Sequence, residues 1–131
     1  MLFDSSVWID YFRGTKTYQT ESLDKILERV LKGYTCPPVF QEVLQGIKED
    51  ENYSAVKESL MRFSFLQLDP YFVAEEAANM YRTLRKKGVT IRKPNDCIIA
   101  SYAIHFNLKL VHSDADFDKI ARHTKLKIYK K

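Results

Sequence analysis

The sequence predicts a single α/β domain whose parallel sheet is covered by helices on both faces, and three observations carry that expectation. Short apolar stretches alternate with longer segments of helical periodicity along the whole chain. Glycines and prolines stand at the changeovers, among them Gly14, Gly33, Pro37, Pro70 and Gly88. The 131 residues suffice for one buried core and show neither repeat nor linker, so one domain over residues 1–131 is expected.

Met1 to Asp4 is a short apolar strand ending in an acid. SSVWIDYFRG then reads as a helix capped by Ser5 or Ser6 and stopped by Gly14. Leu23, Ile26, Leu27, Val30 and Leu31 recur at helical spacing up to Gly33, and YTCP is too short for anything but a strand end. Pro37 and Pro38 open another helix, with Val39, Val43, Leu44 and Ile47 facing inward and Glu42 near its start. Residues 53–63 read as an amphipathic helix and FLQLD as a third strand broken at Pro70. A long stripe of Phe72, Val73, Ala77, Met80, Tyr81 and Leu84 comes next, ending in a basic run and Gly88.

After VTIRKP, Asn95 is placed to cap a helix whose buried face is Ile98, Ile99, Tyr102, Ala103 and Phe106, which puts Asp96 in its first turn. KLVHSD is a strand ending in acid, DADFDKIAR a short helix, and LKIYK a last strand at the sheet edge.

Composition narrows the chemistry. The formal net charge is +4, a mild excess that suits a polyanionic partner. That charge is segregated: residues 82–93 hold six Lys or Arg and no acid, whereas residues 41–58 hold five acids against two bases. Cys36 and Cys97 match no zinc spacing and read as reduced thiols, which points to the cytoplasm. The N-terminal acid Asp4 and the lack of a long uncharged stretch argue against a signal peptide or a membrane span. His105, His112 and His123 share no ligand spacing and read as surface or structural residues.

The acids carry the functional expectation. In open α/β sheets, reactive side chains collect at the carboxyl ends of strands and at adjoining helix starts. Asp4 and Asp114 end strands, while Glu42 and Asp96 lie near helix starts, so one edge of the sheet gathers four or five carboxylates. Like charges so close need a cation, and a set without His or Cys prefers a hard ion, Mg²⁺ or Mn²⁺, one or two per site. Such ions activate water and offset charge on an attacked phosphate, while a neighbouring basic face holds the rest of a nucleic acid.

Four motifs in order resemble those of the PIN-domain family, and within it the VapC-type toxins of toxin–antitoxin pairs. They are LFDSSVWIDYFRG, PVFQEVLQGI with Glu42 and Gly46, KPNDCIIASYA with Asp96, and LVHSDADF with Asp114 and Asp116. The resemblance spans residues 1–117. It implies a three-layer α/β/α sandwich with a mainly parallel central sheet, a homodimer, and inhibition by a VapB-type antitoxin whose tail enters the active-site groove. It also implies an endoribonuclease toxin that hydrolyses RNA, transfer RNA ahead of ribosomal RNA, with Mg²⁺ or Mn²⁺. Asp4, Glu42, Asp96 and Asp114 are the implied catalytic and metal-binding acids, with Asp116 as a second-metal or outer ligand. Ser6 is the implied hydroxyl holding Asp4, and Ser113 stands where the family more often has Thr. Arg85, Lys86, Lys87, Arg92 and Lys93 are the candidate RNA contacts.

Taken singly, each acid has an ordinary role as a helix cap or a solvated helix residue. A PIN-like module that grips RNA or protein without cutting is the competing expectation, since a fold does not guarantee activity. A phosphoacceptor domain fits poorly, because Asp69 and Lys109 do not supply its Asp and Lys.

Overall fold

The computed structural model describes residues 1–131. The chain runs β1 (Leu2–Phe3), α1 (Ser5–Phe12), α2 (Tyr18–Leu27), β2 (Tyr34–Thr35), α3 (Pro37–Gln45) and α4 (Asp50–Leu60). It continues as β3 (Ser64–Phe65), α5 (Pro70–Lys86), α6 (Pro94–His105), β4 (Lys109–Val111), α7 (Ala115–His123) and β5 (Lys127–Ile128). The five strands form one sheet in the order β3-β2-β1-β4-β5, and every neighbouring pair is parallel. Right-handed crossovers put α1 to α4 on one face and α5 to α7 on the other, so the expected three-layer α/β/α sandwich is the observed one.

Burial explains the central position of β1 and β4. Leu2, Phe3, Leu110 and Val111 are completely inaccessible, as a strand covered on both faces requires. On the face of α1 to α4, Phe63 meets Phe3 edge-on at 5.9 Å and Trp8 at 5.3 Å between ring centroids. Gly33 lies against this cluster, and a Cβ there would stand 2.7 Å from both Ile26 Cγ2 and the Phe63 ring. On the other face α6 is inaccessible along Ile99, Ala100 and Ala103, small enough to let it lie close to the sheet.

Several expected boundaries move. Asp4, rather than Ser5 or Ser6, caps α1, because its carboxylate accepts the Ser6 N–H at 3.0 Å. The second helix ends at Leu27 rather than Gly33; Arg29 turns to φ 62° and leaves Val30 and Leu31 exposed. Glu42 falls in the second turn of α3. The fourth helix starts at Asp50 rather than 53, and only Ser64–Phe65 of the third strand pairs, so FLQLD is mostly connection. Lys93 occupies the cap position of α6 in place of Asn95, with Pro94 at the first helical residue. Phe72 and Phe106, expected inside, are 46% and 38% exposed.

Candidate active site

β1 lies at the point where the strand order reverses, since β2 leaves it on one side and β4 on the other. The crevice at the carboxyl ends of β1 and β4 is where an open α/β sheet receives ligands. Asp4 comes directly after β1, and its own N–H extends the ladder by donating to the Val111 carbonyl at 2.9 Å. The segment His112–Asp114 leaves β4 beside it. The two turns are pinned together, because the Ser113 N–H donates to the Ser6 hydroxyl at 2.9 Å. Ser6 therefore braces Asp4 with its backbone amide and the neighbouring turn with its hydroxyl. Ser113 takes part through its backbone.

Four acids from four elements meet here. Asp4 and Asp96 are buried, at 4% and 3% exposure, although both are carboxylates. Asp96 reaches this place because Pro94 opens α6 and puts it in the first turn, where unpaired N–H groups favour negative charge. Asp114 caps α7 by accepting the Asp116 N–H at 3.0 Å. Glu42 is brought in by α3, whose start comes after β2, the strand next to β1.

Their proximity is written in their proton affinities. Burial pushes the Asp96 carboxyl up, and Asp4 and Asp114 add to it, to a pKa of about 7. Burial also raises Asp4, where the Ser6 and Ser5 hydrogen bonds hold it down and Asp114 pushes it up. Glu42 is raised by burial and then by Asp4, with Lys93 opposing. Asp4, Glu42 and Asp96 are each pushed up by neighbouring acids, so these three titrate as a coupled set.

The site residues also include cations. The Lys93 ammonium stands 3.4 Å from Asp114 Oδ2. Arg92 donates from Nε to Asp116 Oδ2 at 3.2 Å and reaches Asp114 Oδ1 at 3.6 Å with a terminal nitrogen. Lys119 approaches the other Asp116 oxygen at 3.3 Å. Burial alone would raise the Asp116 carboxyl, but Arg92 and Lys119 outweigh it and hold Asp116 below the usual carboxylate range. Asp116 is thus saturated by protein cations, whereas Asp4, Glu42 and Asp96 are not.

The expected basic face is split. The 17 residues of α5 rise about 25 Å, which carries Arg85, Lys86 and Lys87 to the opposite edge of the sheet. Of the five basic candidates only Arg92 and Lys93 return to the acids, and both face Asp114 or Asp116.

The acids suit a hard divalent cation. One buried oxygen each of Glu42 and Asp96 has no hydrogen-bond partner, and an unpaired buried carboxylate oxygen is costly unless a cation or proton meets it. The donors are all oxygen, matching Mg²⁺ or Mn²⁺. No three acid, His or Cys side chains are gathered tightly enough to form a ready-made cage. Cys36 is no competitor, since burial pushes its thiol up to about 12.

His112 was expected only as a surface or structural residue, and its structural work is specific. It is buried, and its Nδ1 accepts the Asp114 N–H at 3.1 Å. The signal was present in the spacing His-x-Asp, which is that of a side chain accepting from the amide two residues on. Gln19 was missed altogether; its amide donates to the His112 carbonyl at 3.1 Å across 93 residues.

A family profile described as PIN domain matches residues 1–123. The chain is 35% identical over 127 residues to the VapC ribonuclease Mb1587 of Mycobacterium bovis and to ribonuclease VapC11 of Mycobacterium tuberculosis, covering 96% of this chain and 95% of each relative. Among solved structures, VapBC2 of Rickettsia felis bound to a promoter DNA fragment aligns with a TM-score of 0.75 at 18% identity, covering 98% of this chain and 96% of the other. VapBC-1 of nontypeable Haemophilus influenzae aligns with a TM-score of 0.71 at 19% identity and the same coverage. At that identity the structural likeness speaks for the fold.

Proposed function

Because the chain belongs to the PIN-domain family, we propose that it is a divalent-metal-dependent endoribonuclease, the toxin of a toxin–antitoxin pair. The observation that carries this reading is the convergence of Asp4, Glu42, Asp96 and Asp114 at one sheet edge, two of them with buried unpartnered oxygens. The names of the relatives, both ribonucleases, support it. The substrate is RNA, transfer RNA ahead of ribosomal RNA. The partners are a VapB-type antitoxin and a second copy of the chain.

In this reading Asp4, Asp96 and Asp114 hold Mg²⁺ or Mn²⁺. Asp116, saturated by Arg92 and Lys119, acts as an outer support. The cation supplies Lewis acidity, which activates water and offsets charge on the phosphate and leaving oxygen. Asp4 is kept in place by the Ser6 amide, so its carboxylate does not rotate away when the site fills. Glu42, whose Oε1 has no hydrogen-bond partner, would serve as the base that takes a proton from water. Lys93 offsets the charge of Asp114 until a cation does so, and is then free to meet the phosphate backbone.

The test is cleavage of structured RNA by the purified chain with Mn²⁺. Asp4→Asn and Asp96→Asn should each remove activity to background, and variants as active as the wild type would reject the reading. A silent PIN-like binding module is the second reading, favoured by the ion pairs that already neutralise Asp114 and Asp116. It predicts salt-sensitive RNA binding with no Mn²⁺ uptake by calorimetry.

A further inference from the structure

A cleft of about 370 Å³ opens directly beside Asp114, on the β5 side of the catalytic acids. Ser113 and Asp114 form the wall it shares with the acid cluster, and Tyr18, Gln19, Lys130 and Lys131 line the rest. We propose that this cleft is the binding subsite for the RNA nucleotide next to the scissile phosphate, with Lys130 and Lys131 on its phosphate and Tyr18 against its base. The proposal rests on the ribonuclease reading, and uses none of the basic residues first considered for RNA.

Three features point to a nucleotide. The three residues after β5, Tyr129–Lys131, hold two lysines and no acid. Lys127 is committed, donating to Asn107 Oδ1 at 2.8 Å, whereas Lys130 and Lys131 are exposed at the cleft. Cations along a groove track a phosphate backbone, and a neighbouring aromatic gives a base its stacking surface. Tyr18 is half-buried and fixed there, backed by Tyr129 at 5.8 Å between ring centroids.

The wall is also rigid. Gln19 holds the His112 carbonyl, and Thr17 caps the helix that begins at Tyr18. Asp118, half exposed, is the one acid at the rim apart from Asp114 itself, and its oxygen is turned to His112 Nε2 at 3.3 Å. The cleft therefore presents cations outward while its acids are engaged. Continuity with Asp114 places any nucleotide held there one step along the strand from the reacting phosphate.

The experiment measures fluorescence anisotropy of a single-stranded RNA of about 20 nucleotides in EDTA, so that cleavage does not intervene, over a range of salt. Lys130→Ala/Lys131→Ala should weaken binding about ten-fold and flatten the log–log salt dependence by about 1.4, the loss of two single-strand phosphate contacts. Lys57→Ala/Lys125→Ala removes equal charge at the opposite edge of the sheet and should leave both unchanged. Tyr18→Leu should weaken binding about five- to ten-fold with the salt slope kept, and Tyr18→Phe should restore it. Thermal melting of each variant separates these effects from misfolding.

A double variant indistinguishable from the wild type or from the Lys57/Lys125 control overturns the subsite. So does tighter binding of poly-glutamate than RNA, lost in the same variants, which would give the cleft to an acidic protein segment. Because binding is read without cleavage, the two readings fail separately. Wild-type RNA cleavage with unchanged binding by the variants sinks the subsite alone. Absent cleavage with the predicted binding losses sinks the ribonuclease reading alone.

Discussion

The imidazole of His112 holds the backbone of Asp114: Nδ1 accepts the Asp114 N–H at 3.1 Å. An accepting Nδ1 puts the ring proton on Nε2, which faces Asp118 Oδ1 at 3.3 Å. The ring is further clamped against Phe117, 5.3 Å away between centroids. The geometry is that of an Asx turn, with an imidazole in the place of the usual Asn or Asp. Through it a residue outside the acid cluster sets the position of an acid proposed to be catalytic.

Replacing His112 tests this relationship. His112→Asn offers an oxygen where Nδ1 was and should keep Mn²⁺ affinity within about three-fold, since the turn is preserved. His112→Leu fills the volume but leaves the Asp114 N–H unpaired, and should cost about ten-fold in metal affinity, the usual effect of losing an outer support. Titration calorimetry with Mn²⁺ reads both. Equal affinities in the two variants would reduce His112 to packing.

The raised proton affinity of Asp96 has a consequence for stability. Its carboxyl titrates near 7 when folded against 3.8 in a free chain. A raised folded pKa means the stabilising state is the protonated one, fully present below about pH 4 and lost as the pH rises through 7. At about 1.4 kcal/mol per unit, the metal-free protein should lose roughly 2–4 kcal/mol between pH 4 and 8, shared with Asp4 and Glu42. Asp96→Asn should remove most of that loss, and saturating Mn²⁺ should restore the wild type. Guanidinium unfolding at pH 5 and pH 8 checks the sign; a wild type more stable at pH 8 without metal contradicts it.

Much of this was legible in the chain. Helices announced themselves by long apolar periodicity, so α5 and α6 were placed by Val73, Ala77, Leu84, Ile99 and Ala103. The strands are only two or three residues long, and most were legible through an acid or a proline soon after the strand, more than through their own pattern. The cap of α1 was misread because Asp4, Ser5 and Ser6 are all good caps, and only the turn geometry selects among them. The acids were legible as residue types at strand and helix ends. Their partners were not: Asp116 turns to Arg92 and Lys119 from distant and local segments, a choice set by packing. The scattering of the basic run was readable, however, from the length of α5, which separates Lys87 from the carboxyl edge where Pro70 starts.

Asp116 and Asp114 should therefore part company on mutation. Asp114→Asn removes a charge that Arg92 and Lys93 share with the proposed cation site, and should abolish detectable Mn²⁺ binding. Asp116→Asn loosens Arg92, which is largely exposed, and Lys119, which is half exposed, so it should lower the melting temperature only modestly, with metal affinity changed by no more than about three-fold. The stability lost arises from a lowered pKa, so it is present above the free-chain value of 3.8 and disappears as the pH falls below it. Comparable losses of Mn²⁺ affinity in both variants would return Asp116 to the ligand set.

Lys93 supplies the last test, because it competes with any cation for Asp114. Burial disfavours its charge, but the bond to Asp114 and the attraction of Asp114, Asp96 and Asp4 outweigh that and keep its ammonium protonated beyond the ordinary range. Lys93→Met removes both the competitor for Asp114 Oδ2 and the repulsion of an incoming ion. An exposed pair contributes about 0.2–1 kcal/mol, so Mn²⁺ affinity should rise up to about five-fold. RNA affinity measured in EDTA should fall in the same variant, since the acids then face the phosphates with one cation fewer. The opposite signs on metal and RNA distinguish a counter-ion from a ligand or a structural lysine, either of which would move both affinities down or neither.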